Sequence, residues 1–156
     1  MTTLANSTTA TTADRRPIDV RGPRFGAAVT TVVLALTLLT IPTTLSVILL
    51  ALQTAAFALG SLVGLQAQPY GVFFRRVVRP RLAPPTEFED PAPPRFAQTV
   101  GLGFALVGLI GLLSGATTVA YVAVGFALAA AFLNAVFAYC LGCEVYLLGK
   151  RVLSRS

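Results

Sequence analysis

The sequence predicts an all-α integral membrane protein, a four-transmembrane-helix bundle built from two parallel helical-hairpin repeats with N and C termini cytoplasmic. Three observations carry this reading. The chain is 55% apolar and only 12% charged, against about 25% charged residues in soluble domains, and its mean hydropathy is +0.77. Four apolar runs approach or exceed the roughly 20 helical residues that cross a hydrocarbon core. All 12 Lys and Arg residues fall on one side of those runs.

In chain order, residues 1–20 are rich in threonine, serine and alanine and are expected to form a disordered tail. The first hairpin occupies residues 21–66. Its first span runs from about Phe25 to Thr40, extendable to Thr44 because threonine hydroxyls bond back to the helix backbone, and its second from about Leu45 to Leu65. A Pro-rich loop with an interfacial segment follows at 67–96. The second hairpin, 97–156, has spans at about Ala97 to Leu113 and Thr118 to Tyr139 and ends in the Cys-x-x-Cys motif and a basic tail. The turns within the hairpins, Ile41 to Thr44 and Ser114 to Thr117, are short and uncharged.

Orientation follows from the arginines, since positive residues near span ends stay in the cytoplasm. Arg15, Arg16, Arg21 and Arg24 precede the first span. Arg75, Arg76, Arg79, Arg81 and Arg95 lie between the second and third, and Lys150, Arg151 and Arg155 follow the fourth. An inner-membrane location with both termini cytoplasmic is therefore expected. The first apolar run has no clear small-residue cleavage site, so it reads as a retained anchor and not a signal peptide. Pro17 after Arg15 and Arg16 argues against twin-arginine export. The positive charge of +6 points to anionic lipid and not to nucleic acid, because the arginines flank apolar runs and form no stripe with interleaved aromatics.

An internal repeat organises the chain. Gly22-Pro23-Arg24-Phe25 introduces the first span and Pro93-Pro94-Arg95-Phe96 the third; a basic exit segment follows each hairpin. This is a parallel pseudo-twofold of the kind found in transporter folds, and it aligns Cys140 with Ala67 and Cys143 with Tyr70. Small residues at four-residue spacing, Ala56, Gly60 and Gly64, Gly111 and Gly115, and Ala127, Ala131 and Ala135, let helices approach closely in lipid. They are assigned to the bundle itself, with pairing of two copies into a homo-oligomer as the lesser reading. Gly101-Leu102-Gly103 lies inside a span and follows no strand, so it is no nucleotide loop. Gln53 and Asn134, the conspicuous polar residues within the spans, call for interhelical hydrogen bonds before any substrate role.

The loop from Gln66 to Arg95 has a basic part, Arg75 to Arg81, interleaved with apolar side chains and expected in the headgroup region, and an acidic part at Glu87, Glu89 and Asp90. Its prolines disfavour a long helix. The acidic part offers a docking surface for a basic partner as the secondary reading.

Chemistry concentrates at Cys140-Leu141-Gly142-Cys143, the only 2 cysteines in a chain with no histidine. Thiols three residues apart on a helix share a face, so the pair can close a small disulfide or offer two thiolates to a soft metal. The bland alternative is two small core residues; the membrane boundary and the adjoining Glu144 weigh against it. Reducing cytoplasm disfavours a permanent disulfide, which leaves a cycling or metal-bound pair. Zinc or an iron–sulfur cluster would need two more soft ligands from a second copy or another protein. No metal site is assigned to this chain alone, no cofactor is identified, and haem ligation by histidine is excluded.

At the end of a membrane helix the dipole opposes a thiolate. A break at Gly142, with an interfacial helix starting at Cys143 or Glu144, would reverse that and make Cys143 the attacking sulfur; without the break, Cys140 attacks. Arg24, Arg95 or Arg75 would add positive charge, and Glu144 would accept the proton. Cys140, Cys143 and Glu144 are the candidate catalytic residues.

Arg-Gly-Pro-Arg-Phe at 21–25, Val-Arg-Pro-Arg-Leu at 78–82, Glu-Phe-Glu-Asp-Pro-Ala-Pro-Pro-Arg-Phe-Ala-Gln at 87–98 and the stretch from Leu133 through Cys-Leu-Gly-Cys-Glu-Val-Tyr to Tyr146 resemble a bacterial, actinobacterial-rich family of small membrane proteins, domain of unknown function family 4395. The resemblance covers nearly everything after residue 17. It implies four spans and a genetic neighbourhood of thioredoxin-like proteins and sulfurtransferases, hence sulfur or thiol handling. The architecture is also similar to that of DoxX-like membrane proteins linked to sulfur oxidation.

Two functions from different classes follow as expectations. The first is a membrane thiol–disulfide or persulfide carrier in which Cys140 and Cys143 cycle against a cytoplasmic thioredoxin-like or sulfurtransferase partner. The alternative is a non-enzymatic accessory subunit that scaffolds a membrane complex, its cysteines structural or metal-binding. A sulfur-anion channel ranks third, opposed by the scarcity of charge within the spans.

Overall fold

The computed structural model describes residues 16–156. Helix α1 spans Arg21–Thr40. Helix α2 spans Thr44–Ala58 and runs on as a π-helical turn, Leu59–Val63. Helix α3, Pro69–Phe73, continues through a π turn at Phe74–Val78 and a 3₁₀ turn at Arg79–Arg81. Helices α4 (Ala92–Leu113), α5 (Thr117–Phe137) and α6 (Leu141–Arg155) complete the chain. Two short strands, β1 at Ile18–Asp19 and β2 at Phe88–Glu89, pair antiparallel.

Helices α1, α2 with its π turn, α4 and α5 are long and apolar enough to cross a membrane. Their outward faces carry Leu39, Leu52, Ile110 and Phe126, all well exposed, as lipid-facing surface should be. The expected spans are recovered, with starts of α1 and α4 several residues earlier than hydropathy suggests. Polar caps explain this: the Asp19 carboxylate accepts the Arg21 backbone N–H (3.0 Å) and Asp90 accepts that of Ala92 (2.8 Å). Prolines follow in each first turn, where a missing N–H costs nothing. Thr31, Thr37 and Thr40 do bond back to carbonyls four residues earlier.

The two hairpins pack as a pseudo-twofold: α1 lies on α5 as α2 lies on α4, and α3 leans on α1 as α6 leans on α4. Leu34, Leu50, Phe57, Ala105, Val124 and Ala127 form the core where the four spans meet. Lipid is as apolar as leucine, so close packing and hydrogen bonds must hold such a core. Gly101 serves this end, for a Cβ there would stand 2.8 Å from the Phe57 ring.

Gln53, fully buried, meets the expected need for an interhelical partner twice over. Its amide donates to Thr30 Oγ1 of α1 (3.2 Å), and its oxygen accepts from the Tyr70 hydroxyl of α3 (2.8 Å). The same end of the bundle carries the cations. Arg24 donates to the carbonyl of Ala135 near the end of α5 (3.5 Å), and Arg95 to those of Ser61 and Leu62 at the end of α2 (2.9 and 3.2 Å). Each hairpin's leading arginine thus caps the other hairpin's second span, favouring the negative end of that helix.

The helical part of the central loop is short: α3 has 5 residues, extended by one π turn and one 3₁₀ turn. Pro69 sits in the first turn of α3, where it is tolerated, and helical turns continue without interruption to Arg81. Of the tail expected to be disordered over 1–20, residues 1–15 lie outside the described residues. Ile18 and Asp19 form β1, tied to the loop by Glu89 and Phe88 and by Arg21 donating to the Ala83 carbonyl (3.1 Å).

Candidate functional site

The cysteine pair begins a helix and does not end one. Helix α5 stops at Phe137 because Ala138 turns left-handed (φ 55°), and the N–H groups of Ala138 and Tyr139 both return to the Leu133 carbonyl, the wrapped C-terminal cap that such a residue permits. Cys140 is then extended (φ −90°, ψ 100°) and occupies the N-cap position of α6. Its sulfur accepts the Cys143 backbone N–H at 3.3 Å, and the Glu144 N–H bonds to the Cys140 carbonyl at 3.0 Å.

The two sulfurs are bonded to each other, with the Cα atoms 5.2 Å apart. Both cysteines are half-buried and Glu144, in the first turn, is exposed. This corrects the expected break at Gly142. The break falls at 138–140 instead, so both sulfurs, and not Cys143 alone, sit at the positive end of a helix dipole. Gly142 lies inside α6 for a different reason: a Cβ there would stand 2.6 Å from the Ala97 Cβ. Its absence seats α6 against α4, and the Phe96 and Tyr146 rings close the contact at 5.7 Å.

That ring pair has a counterpart in the first hairpin, where Phe25 meets Phe74 at 5.7 Å. Gln68 is the N-cap of α3 as Cys140 is of α6, and the Val72 N–H bonds to the Gln68 carbonyl (3.0 Å) as Glu144 bonds to Cys140. The repeat therefore aligns Cys140 with Gln68 and Cys143 with Gly71, one residue away from the alignment with Ala67 and Tyr70. The turns differ in length, 64–67 against 138–139, which motif spacing did not disclose.

The arginines expected to charge the site have backbone partners. Arg24 and Arg95 cap α5 and α2 as above, and Arg75 donates to the Gln66 carbonyl at 2.7 Å. The favourable field at the sulfurs thus comes first from α6 itself. Among the described residues, no group of three or more His, Cys, Asp or Glu side chains gathers at a point that could hold a metal ion.

Sequence reasoning missed the polar cluster under α3. The Gln68 amide, 5% exposed, donates to Gln98 Oε1 of α4 at 3.0 Å, and Tyr70 reaches Gln53. Burial raises the Tyr70 hydroxyl pKa. The signal available was the position of Gln68, at the turn that carries cysteine in the second repeat.

A family described as "Domain of unknown function (DUF4395)" matches residues 18–151. No curated protein and no solved structure matches the chain.

Proposed function

Taking the chain for what that match makes it, a member of the DUF4395 family, we propose that it is an inner-membrane carrier of thiol or persulfide equivalents, with both termini cytoplasmic. Cys140 and Cys143 are its working groups, and a thioredoxin-like protein or sulfurtransferase on the cytoplasmic face is its partner. One observation carries the reading: a bonded Cys-x-x-Cys pair, half-exposed, opens a helix at the basic end of a membrane bundle. Positive residues favour the cytoplasmic side. There the bonded pair is the oxidised member of a cycle, since a reducing compartment returns it to dithiol.

In the reduced protein the Cys140 sulfur is the attacker. The N-cap position and the Cys143 N–H favour its thiolate, as helix N-termini do for reactive cysteines generally. It attacks a sulfur of the partner's disulfide, forming a mixed disulfide and releasing the partner's other sulfur as thiolate. Cys143 passes its proton to Glu144 and attacks the Cys140 sulfur. The Cys140–Cys143 bond forms, the partner leaves as its second thiolate, and two electrons have passed from chain to partner. The reverse sequence reduces the pair again.

Trapping tests this. A Cys143→Ser variant leaves the mixed disulfide unresolved, so non-reducing gels of intact cells should show a Cys140-linked adduct with a thioredoxin-like or sulfurtransferase protein. No adduct in Cys143→Ser, with none in Cys140→Ser, overturns the proposal.

One observation favours a second reading, an accessory subunit of a membrane complex. No residue of α6 is buried, and its apolar stripe of Leu141, Val145, Leu148 and Val152 is open to a partner. Under this reading a Cys140→Ser/Cys143→Ser protein remains functional, whereas truncation after Gly149 does not.

A further inference from the structure

The first repeat has no thiols at the position where the second carries them; it has a cavity. About 120 Å³ in volume, it lies between β1, the start of α1, the 64–68 turn and α3. It is well below the roughly 300–1,000 Å³ of drug-sized sites. We propose that this cavity binds a small oxyanion of the size of phosphate or sulfate, held by Arg75 and Arg79 with the carboxamides of Gln68 and Gln98.

Charge is the first argument. Arg75 and Arg79 line the same cavity, four residues apart on one helical stretch. Among the described residues Asp19 is the carboxylate in that wall, and Arg21 already holds it at 2.8 Å. Cations therefore outnumber carboxylates around a confined space, where screening by salt is weak. Burial and the neighbouring Arg76 and Arg79 depress the Arg75 pKa, a cost that a bound anion would offset.

Hydrogen bonding is the second. Arg75 spends Nη2 on the Gln66 carbonyl (2.7 Å), which fixes the guanidinium and leaves its other N–H groups for the cavity. Gln68 donates to Gln98 Oε1, so the Gln98 amide keeps its own donors. Two guanidinium groups and two carboxamides in the lining of one small space can supply N–H donors to an acceptor-only, charged ligand. Gly71 forms part of the wall: a Cβ there would stand 3.1 Å from the Leu65 carbonyl oxygen and 3.4 Å from Arg75 Nη1.

The oxyanion has two sources, a free ion or the phosphate of an anionic lipid, and one experiment separates them. The full chain, purified in an uncharged detergent, is titrated with inorganic phosphate at constant ionic strength while thermal unfolding is followed. Phosphatidylglycerol that copurifies is counted by native mass spectrometry. A free-ion site gives a saturable rise in Tm whose apparent Kd increases at least tenfold in Arg75→Gln and in Arg79→Gln. A headgroup site gives retained lipid in the wild type that both variants shed. Gln98→Leu acts in the same direction and guards against misfolding of the arginine variants. The proposal is overturned if phosphate binding and lipid retention are absent, or unchanged in all three variants with wild-type helical content. Repeating the titration in Cys140→Ser/Cys143→Ser keeps the result separate from the thiol carrier, because the cavity needs neither sulfur.

Discussion

Ala97 lies so near Gly142 that a Cβ added to the glycine would stand 2.6 Å from the alanine's own. The neighbour is the body of α4 and cannot swing aside, so Gly142→Ala must push α6 away from α4. Overpacking of this kind costs about 1–3 kcal/mol. The Tm of the oxidised protein should fall accordingly. Because α6 carries both the N-cap sulfur and the first-turn sulfur, alkylation of the reduced pair should also change in rate. A Gly142→Ala protein with unaltered Tm and alkylation would show that the α4–α6 contact is not formed in solution.

Gln53 is the hub of a buried polar set that joins α1, α2 and α3. Gln53→Leu leaves Thr30 and Tyr70 each short of a partner in an apolar interior, and such an orphaned group costs about 1–3 kcal/mol. Tyr70→Phe orphans one group, the buried Gln53 side-chain oxygen, where Gln53→Leu orphans two, so its cost should be the smaller, about 1–3 kcal/mol. Reversible unfolding in mixed micelles gives both values. The order is the test: Tyr70→Phe costing more than Gln53→Leu would mean that Tyr70 matters through something other than this bond.

The parts of the fold legible in the sequence are those that lipid imposes. A span must be apolar over about 20 residues, so Leu45 to Leu65 announced α2 to within two residues of its end at Val63. Gln53 likewise announced its need for a partner. The identity of that partner was hidden, because Thr30 and Tyr70 are brought to it only by the packing of α1 and α3. Thiol position was hidden for a related reason. Ala138 has no property that marks it for a left-handed backbone, yet its conformation moves the helix boundary four residues before Gly142 and turns the pair from the end of α5 to the start of α6.

Asp19 ties the N-terminal segment to the bundle and should give the fold a pH dependence on the acid side. Its side-chain bond to Arg21 is the largest influence, and together with the backbone bond and the nearby Arg79 it holds the carboxyl below its ordinary 3.8. A depressed folded-state pKa means that the stabilisation is fully present above the unfolded value and is lost as pH falls through the folded one. Asp19→Asn should therefore lower Tm near neutrality and flatten the acid limb below about pH 4. Glu89, half-buried opposite Ile18, runs the other way: burial raises its pKa. Its contribution is present at low pH and is lost as pH rises through that raised value, so Glu89→Gln should stabilise at neutral pH. Melting curves of both variants between pH 3 and 8 check the two signs together.

The N-cap position of Cys140 makes a prediction about the two thiols that local sequence does not. Both sulfurs lie at the start of α6, where the dipole lowers thiol pKa values, and in the bonded pair it is the Cys140 sulfur that accepts the Cys143 N–H. Cys140 should therefore alkylate at lower pH than Cys143. Glu144→Gln removes a negative charge beside the pair and should move both profiles to lower pH while slowing the resolution of a mixed disulfide by Cys143. Iodoacetamide labelling read by mass spectrometry distinguishes the two sites. Profiles that coincide with each other and with that of an unstructured cysteine peptide would mean that the start of α6 does not activate either sulfur, and the carrier role would lose its attacking group.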